Sequence, residues 1–165
     1  MPPLPHPDES SFDIRCVVIT VSDTRTPETD TSGQLIQDLL TAKGHLIQAY
    51  HLVKDDPETI RERVVQLSAE ADAIMLNGGT GIAPRDTTYD AIATLLTKQL
   101  PGFGELFRQL SYAEIGSRAM ASRATAGTYG STLIFSLPGS SKAVKLAMEK
   151  LILPELRHLV KLLRQ

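Results

Sequence analysis

Residues 71–81 read Ala-Asp-Ala-Ile-Met-Leu-Asn-Gly-Gly-Thr-Gly. The apolar part, Ala71 to Leu76, has strand length rather than helix length and is read as a buried strand. It runs directly into Asn77-Gly78-Gly79-Thr80-Gly81. Thr88 is then placed to cap a helix that turns Ile92, Leu95 and Leu96 inward. A strand that passes through a glycine loop into a helix is the building unit of parallel α/β sheets.

Upstream, the same alternation recurs. Ile14 to Val21 (IRCVVITV) is a β-branched run and reads as a strand. Thr31 to Lys43 places Leu35, Ile36, Leu39 and Leu40 at helical spacing, with Thr31 or Ser32 as cap and Gly44 as stop. His45 to Val53 reads as a second strand. Asp56-Pro57-Glu58 opens a helix with Asp56 as its cap, and Ile60, Val64 and Leu67 share one face. Three strands separated by such helices need crossover connections, so the strands are expected to be parallel with helices on both faces.

Downstream, Gly104 to Ile115 is helical, and Ala124–Tyr129 with Thr132–Leu137 form a hairpin around Gly130-Ser131. The sheet is therefore expected to be mixed but mostly parallel. Two helices close the chain, the first starting at Ser140 or Ser141 and the second near Pro154. Leu156, Leu159, Val160 and Leu163 line the second, with Lys161 and Arg164 outside.

A chain of 165 residues argues for one domain. That domain is expected over residues 12–165, after a disordered or extended tail over residues 1–11 with four prolines in its first seven positions. The net charge of -2 gives no reason to expect nucleic acid or a membrane surface as partner. No apolar run approaches the ~20 residues of a spanning helix. The single cysteine, Cys16, fits a reducing, cytoplasmic compartment and reads as a core residue.

Ligands of open α/β sheets bind outside the carboxyl ends of the strands. Three segments leave strands there: Ser22-Asp23-Thr24-Arg25, Gly78-Gly79-Thr80-Gly81 and Pro138-Gly139-Ser140-Ser141. Their hydroxyls and backbone N–H groups point to an anionic, phosphate-bearing ligand. The P-loop and dinucleotide motifs are both absent. With Asp56 used as a cap, Asp55 is left without a structural task. Asp86 is read either as a turn aspartate or as a group serving a Mg²⁺-bound phosphate substrate. Arg25, Arg85 and Arg123 are candidate phosphate donors. His6, His45, His51 and His158 show no metal-ligand spacing.

Four runs, VVITVSDTRTPETDTSG, NGGTGIAPRDTTYDAI, PGFGELFRQLSYAEIGSRAMASRATAG and LIFSLPGSSKAV, resemble the MoaB/MogA family of molybdenum-cofactor biosynthesis, closer to the MoaB branch. The resemblance spans Arg15 to about His158 and implies a three-layer α/β/α domain. It implies adenylyl transfer from Mg²⁺-ATP to molybdopterin, releasing pyrophosphate, in a homo-oligomer that is a trimer or hexamer. It places Asp55 and Asp86 at the family's acidic positions, as catalytic and Mg²⁺-holding residues. Ser22, Asp23, Gly78, Gly79, Thr80, Gly81, Pro138, Gly139 and Ser140 fall at the nucleotide- and pterin-binding loops. Tyr89 departs from the proline that many members carry there. The alternative within the family is a non-catalytic molybdopterin-binding module, since some MoaB-branch proteins carry changes at the two acidic positions.

Overall fold

The computed structural model describes residues 12–165, so the expected tail over residues 1–11 lies outside it. The chain runs through β1 (Arg15–Val21), α1 (Thr31–Ala42), β2 (Leu46–Val53), α2 (Pro57–Ser68) and β3 (Ala73–Asn77). It continues with α3 (Thr88–Ala93), β4 (Lys98–Gln99), α4 (Pro101–Ile115) and a 3-10 turn at Gly116–Ala121. The hairpin β5 (Thr125–Tyr129) and β6 (Thr132–Leu137) follows, then α5 (Ser141–Ala147), a π turn at Met148–Ile152 and α6 (Leu153–Leu163).

The six strands form one sheet in the order β2-β1-β3-β6-β5-β4. The first four are mutually parallel; β5 runs antiparallel to β6, and the edge strand β4 antiparallel to β5. Alternate side chains of the central strands enter two cores. Cys16, Val18, Ala73 and Met75 pack with Ile36, Phe107, Val144, Leu156 and Val160 of α1, α4, α5 and α6. Val17, Ile19, Ile74 and Leu76 pack with Ile60, Val64 and Leu67 of α2 and with Ile92 of α3. Helices thus cover both faces, giving the expected three-layer α/β/α fold, and this is why the central strands read as continuous apolar runs.

Local expectations fare unevenly. Asp56 caps α2 by accepting from Thr59 N at 2.9 Å and from Thr59 Oγ1 at 2.7 Å; the hydroxyl bond, then the backbone one, holds its carboxyl below the usual range. The cap of α1, however, is Asp30 rather than Thr31 or Ser32: its carboxylate accepts from Gly33 N at 3.0 Å. Thr87, not Thr88, precedes α3 at the cap position. α4 begins at Pro101, earlier than Gly104, because proline suits the first turn. The two closing helices are one helical run through the π turn, which accommodates the missing N–H of Pro154.

Candidate functional site

β1 and β3 are neighbours, yet the chain leaves them toward opposite faces, to α1 and to α3. A cleft opens at such a switch point. It has a volume of about 220 Å³ and is lined by the loop after β1 (Ser22 to Arg25), by Asp55, Gly78 and Gly79, and by Arg85, Asp86 and Gly139.

Short-range chemistry shapes the loops. Ser22 Oγ accepts from the backbone N–H groups of Thr24 and Arg25 at 3.2 and 3.0 Å, folding the first loop into a turn. Asp23 Oδ1 accepts from Asp55 N at 3.0 Å, tying the first loop to the end of β2. Gly78 and Gly79 have φ values of 104° and 66°. A Cβ on Gly78 would lie 2.1 Å from the Val21 carbonyl oxygen, and one on Gly79 would lie 2.7 Å from Asp55 Oδ2. Only glycine lets this loop cross between β1 and the Asp55 side chain.

The carboxylates have partners of their own. Asp55 Oδ1 accepts from Thr87 N at 3.1 Å and from Thr87 Oγ1 at 2.6 Å. The residue left without a structural task in the sequence therefore has one: it fastens the loop after β2 to the start of α3, a contact 32 positions apart. Asp86 Oδ2 accepts from Ala83 N at 3.0 Å and closes the turn over residues 83–86. Asp55 Oδ2 and Asp86 Oδ1 make no hydrogen bond among the described residues. Both are half-buried in the same cleft.

The cations differ from one another. Arg25 Nη2 donates to Gly139 O at 2.9 Å while Nη1 stands 3.6 Å from Asp30. Buried Asp30 also accepts from the Tyr50 hydroxyl, and burial followed by that carboxylate pushes the Tyr50 phenol up. Arg85 lines the cleft, is exposed and makes no ion pair among the described residues. Arg123 lies behind the glycine loop instead of in the cleft, with Nε donating to Gly81 O at 3.0 Å.

Of the expected loop residues, Ser22, Asp23, Gly78, Gly79 and Gly139 come together with Asp55 and Asp86. Thr80 is buried, and its carbonyl accepts from Arg123 N at 2.9 Å. Gly81 packs against Asp86 Oδ2 from the side, 2.8 Å from where its Cβ would be. Ser140 caps α5 by accepting from Ala143 N at 3.2 Å, and Pro138 leads into it. Asp30, Thr87 and Thr88 are additions that the sequence did not single out for the site. Thr88 Oγ1 is buried beneath Gly79 without a partner among the described residues, as are Asn77 Oδ1 and Ser136 Oγ near the ends of β3 and β6. Cys16 is buried, and desolvation pushes its thiol up to about 12, which rules out a nucleophilic role.

The donor set suits an ion that arrives with its ligand. No group of three or more His, Cys, Asp or Glu side chains forms a metal cage among the described residues. Mg²⁺ commonly uses one or two carboxylates and takes its remaining ligands from water and substrate phosphates. Asp55 and Asp86, each with an oxygen to spare, fit that pattern.

Comparison with known proteins adds the following. A family described as "Probable molybdopterin binding domain" matches residues 17–158. Molybdenum cofactor biosynthesis protein B of Bacillus subtilis is 55% identical over 163 residues, covering 97% of this chain and 96% of its own length. A crystal structure of a molybdenum cofactor biosynthesis protein B superposes with a TM-score of 0.91 at 52% identity, covering 95% of this chain and all of the other. The tungsten cofactor synthesizing protein MoaB of Pyrococcus furiosus superposes with a TM-score of 0.83 at 36% identity, covering 94% of this chain and all of the other.

Proposed function

The chain belongs to the MoaB proteins of the molybdopterin binding domain family, and from that premise we propose that its cleft transfers AMP from Mg²⁺-ATP to molybdopterin. The observation that carries this reading is the convergence of Asp55 and Asp86, from loops after different strands, on one glycine loop in one cleft.

In this reaction a terminal phosphate oxygen of molybdopterin attacks the α-phosphorus of ATP. The bond from that phosphorus to the pyrophosphate oxygen breaks, and pyrophosphate leaves with the electron pair. The attacking phosphate is already ionised at neutral pH, so no general base is required. The work left to the protein is to align two anions and offset their charge. Gly78 and Gly79 let phosphate oxygens approach the backbone. Arg25, fixed by Asp30 and Gly139, and exposed Arg85 both line the cleft and supply guanidinium groups to phosphate oxygens. Asp55 and Asp86 would hold Mg²⁺, which when bound neutralises phosphate charge. We place the protein in the cytoplasm as a homo-oligomer, a trimer or hexamer. The exposed apolar side chains of Leu106, Tyr112, Ile115 and Met120 on α4 and the following turn support assembly.

The test is to mix purified protein with molybdopterin, Mg²⁺ and ATP and to measure pyrophosphate. Release dependent on all three components supports the reading. Tight molybdopterin binding with no ATP consumed overturns it in favour of a non-catalytic binding module.

A further inference from the structure

The glycine loop carries Asp86, but little of the loop itself is packed: Ile82, Ala83, Pro84 and Arg85 are all exposed. Something else must fix the turn on which that carboxylate rides. Three carbonyls of this segment accept from one residue. Arg123 N donates to Thr80 O at 2.9 Å, Arg123 Nε to Gly81 O at 3.0 Å, and Arg123 Nη2 to Asp86 O at 3.1 Å. The contacts bracket the loop, from its start to Asp86.

The guanidinium is itself held in plane. Its far edge meets the Asp90 carboxylate on α3, with Nη1 at 3.1 Å and Nη2 at 3.2 Å. The Tyr89 ring lies 4.8 Å beneath its carbon. A planar fork with five N–H donors can span two carbonyls and a carboxylate at once, whereas an ammonium presents its donors at a single point. Asp90 is largely exposed, so the ion pair adds little stability. Its consequence is orientation. These bonds occupy four of the five side-chain donors, and the side chain does not line the cleft, so Arg123 is not placed to grip a phosphate there.

We propose that Arg123 is a positioning residue that sets the Asp86 carboxylate through the backbone of the glycine loop. The link is short. Gly81 and Asp86 are in contact, and Asp86 Oδ2 folds back onto Ala83 N at 3.0 Å. Holding Gly81 O, just before the turn over residues 83–86, and Asp86 O, at its end, therefore fixes the segment from which Asp86 faces the cleft. Tyr89 and Asp90, adjacent in α3, supply the ring and the carboxylate that aim the fork. The catalytic part of this proposal rests on the adenylyl-transfer reading above; the positional part does not.

The experiment uses the full chain and Arg123→Lys, which keeps the charge and loses the fork. Backbone amide exchange is measured first, without substrate. The amides of Ala83 and Asp86 are expected to exchange about tenfold faster, as the Asp86 turn loosens, while amides of β1 keep their wild-type rates. In the pyrophosphate assay the Mg²⁺ concentration for half-maximal rate rises several-fold, and kcat falls by about 10- to 100-fold with KM for molybdopterin nearly unchanged. Asp90→Asn, which leaves Arg123 in place but frees its far edge, gives the same pattern at smaller amplitude and serves if the lysine variant does not fold. Wild-type exchange at Ala83 and Asp86, or faster exchange spread evenly over the sheet, overturns the proposal. A wild-type protein that releases no pyrophosphate defeats the adenylyl-transfer reading, and the exchange pattern still decides the role of Arg123.

Discussion

At the amino rim of the sheet Asp72 meets Arg15 and Arg164 at 3.2 Å each, while at the carboxyl rim Asp55 and Asp86 meet only N–H and hydroxyl donors. Arg15 also gives its backbone N–H to Asp72 at 2.9 Å. Arg164 in turn lies 4.7 Å over the Phe12 ring. Burial alone would push the Asp72 carboxyl up, but the hydrogen bonds from Arg15 and Arg164 prevail and hold it below its ordinary value. At the other rim two arginines line the same cleft as the carboxylates, yet neither closes an ion pair with Asp55 or Asp86 among the described residues. One rim saturates its charges and gains stability. The other leaves Asp55 and Asp86 without an ion pair among the described residues, although Arg25 pairs with Asp30, and this suits the site proposed above for a polyanion and its cation.

The contrast breaks most visibly at Asp86. Asp86→Asn is nearly isosteric, and its amide oxygen can still accept from Ala83 N, so the turn survives. The missing negative charge is expected to lower pyrophosphate release by about a hundredfold or more, with a melting temperature close to wild type. Undiminished turnover would show that the carboxyl rim is as structural as the amino rim. Gly79→Ala comes next. Its φ of 66° costs an alanine about 1–2 kcal/mol, and the new Cβ would lie 2.2 Å from Thr88 Oγ1 and 2.7 Å from Asp55 Oδ2. Both stability and turnover fall, turnover by about tenfold or more, as measured by parallel melts and assays.

Asp72→Asn makes the reciprocal test. It removes the charge that pairs two arginines and is expected to cost about 2 kcal/mol, or roughly 4–8 °C in melting temperature, with turnover retained. The arginines are about half exposed, 47% and 49%, so the loss stays below that of a fully buried pair. Because the folded-state pKa of Asp72 is depressed, its contribution is complete above the unfolded value of about 3.9 and disappears as pH falls through the folded value. An Asp72→Asn protein with unaltered acid stability would remove the distinction between the rims.

Much of this arrangement is legible in the chain because it depends on near neighbours. Asp56-Pro57 announces α2, and the continuous apolar, β-branched run of β1 announces a buried strand. The composite of glycine loop and following aspartate points to the cleft. What escapes is set by long-range contact. Asp30 caps α1 although Thr31 and Ser32 offer competing hydroxyls; the Ser32 hydroxyl instead donates to Gly139 O at 2.6 Å, a bond no local pattern encodes. The tie between Asp55 and Thr87 and the grip of Arg123 on the glycine loop join segments at least 30 positions apart. β4 contributes only Lys98 and Gln99, both exposed, so no apolar alternation marks it. Strand and helix follow from pattern, whereas partners of polar groups follow from topology.

The smallest expected effect also belongs to the amino rim, at His45. Its side chain is buried and Nδ1 accepts from Ile14 N at 3.3 Å. Burial, and then the nearby Arg157, lower its pKa below the ordinary value; Asp13 opposes the shift. Only the neutral ring can accept at Nδ1, so protonation sets a donor against a donor. As pH falls, the unfolded chain takes up its proton first, near about 6.5. Stability from His45 is therefore complete above that value and is lost as pH falls toward the folded-state pKa. The expected loss is under about 1 kcal/mol, since the bond is long. His51 is also lowered, by burial and Arg63, and contributes a slope of the same sign. The measurement is therefore a difference: melts of wild type and His45→Gln at pH 7.5 and 5.5, with a shallower slope in the variant. Equal slopes would move the pH sensitivity away from the Ile14 contact. They would leave Asp72 as the acid-sensitive group identified at the amino rim, active only at much lower pH.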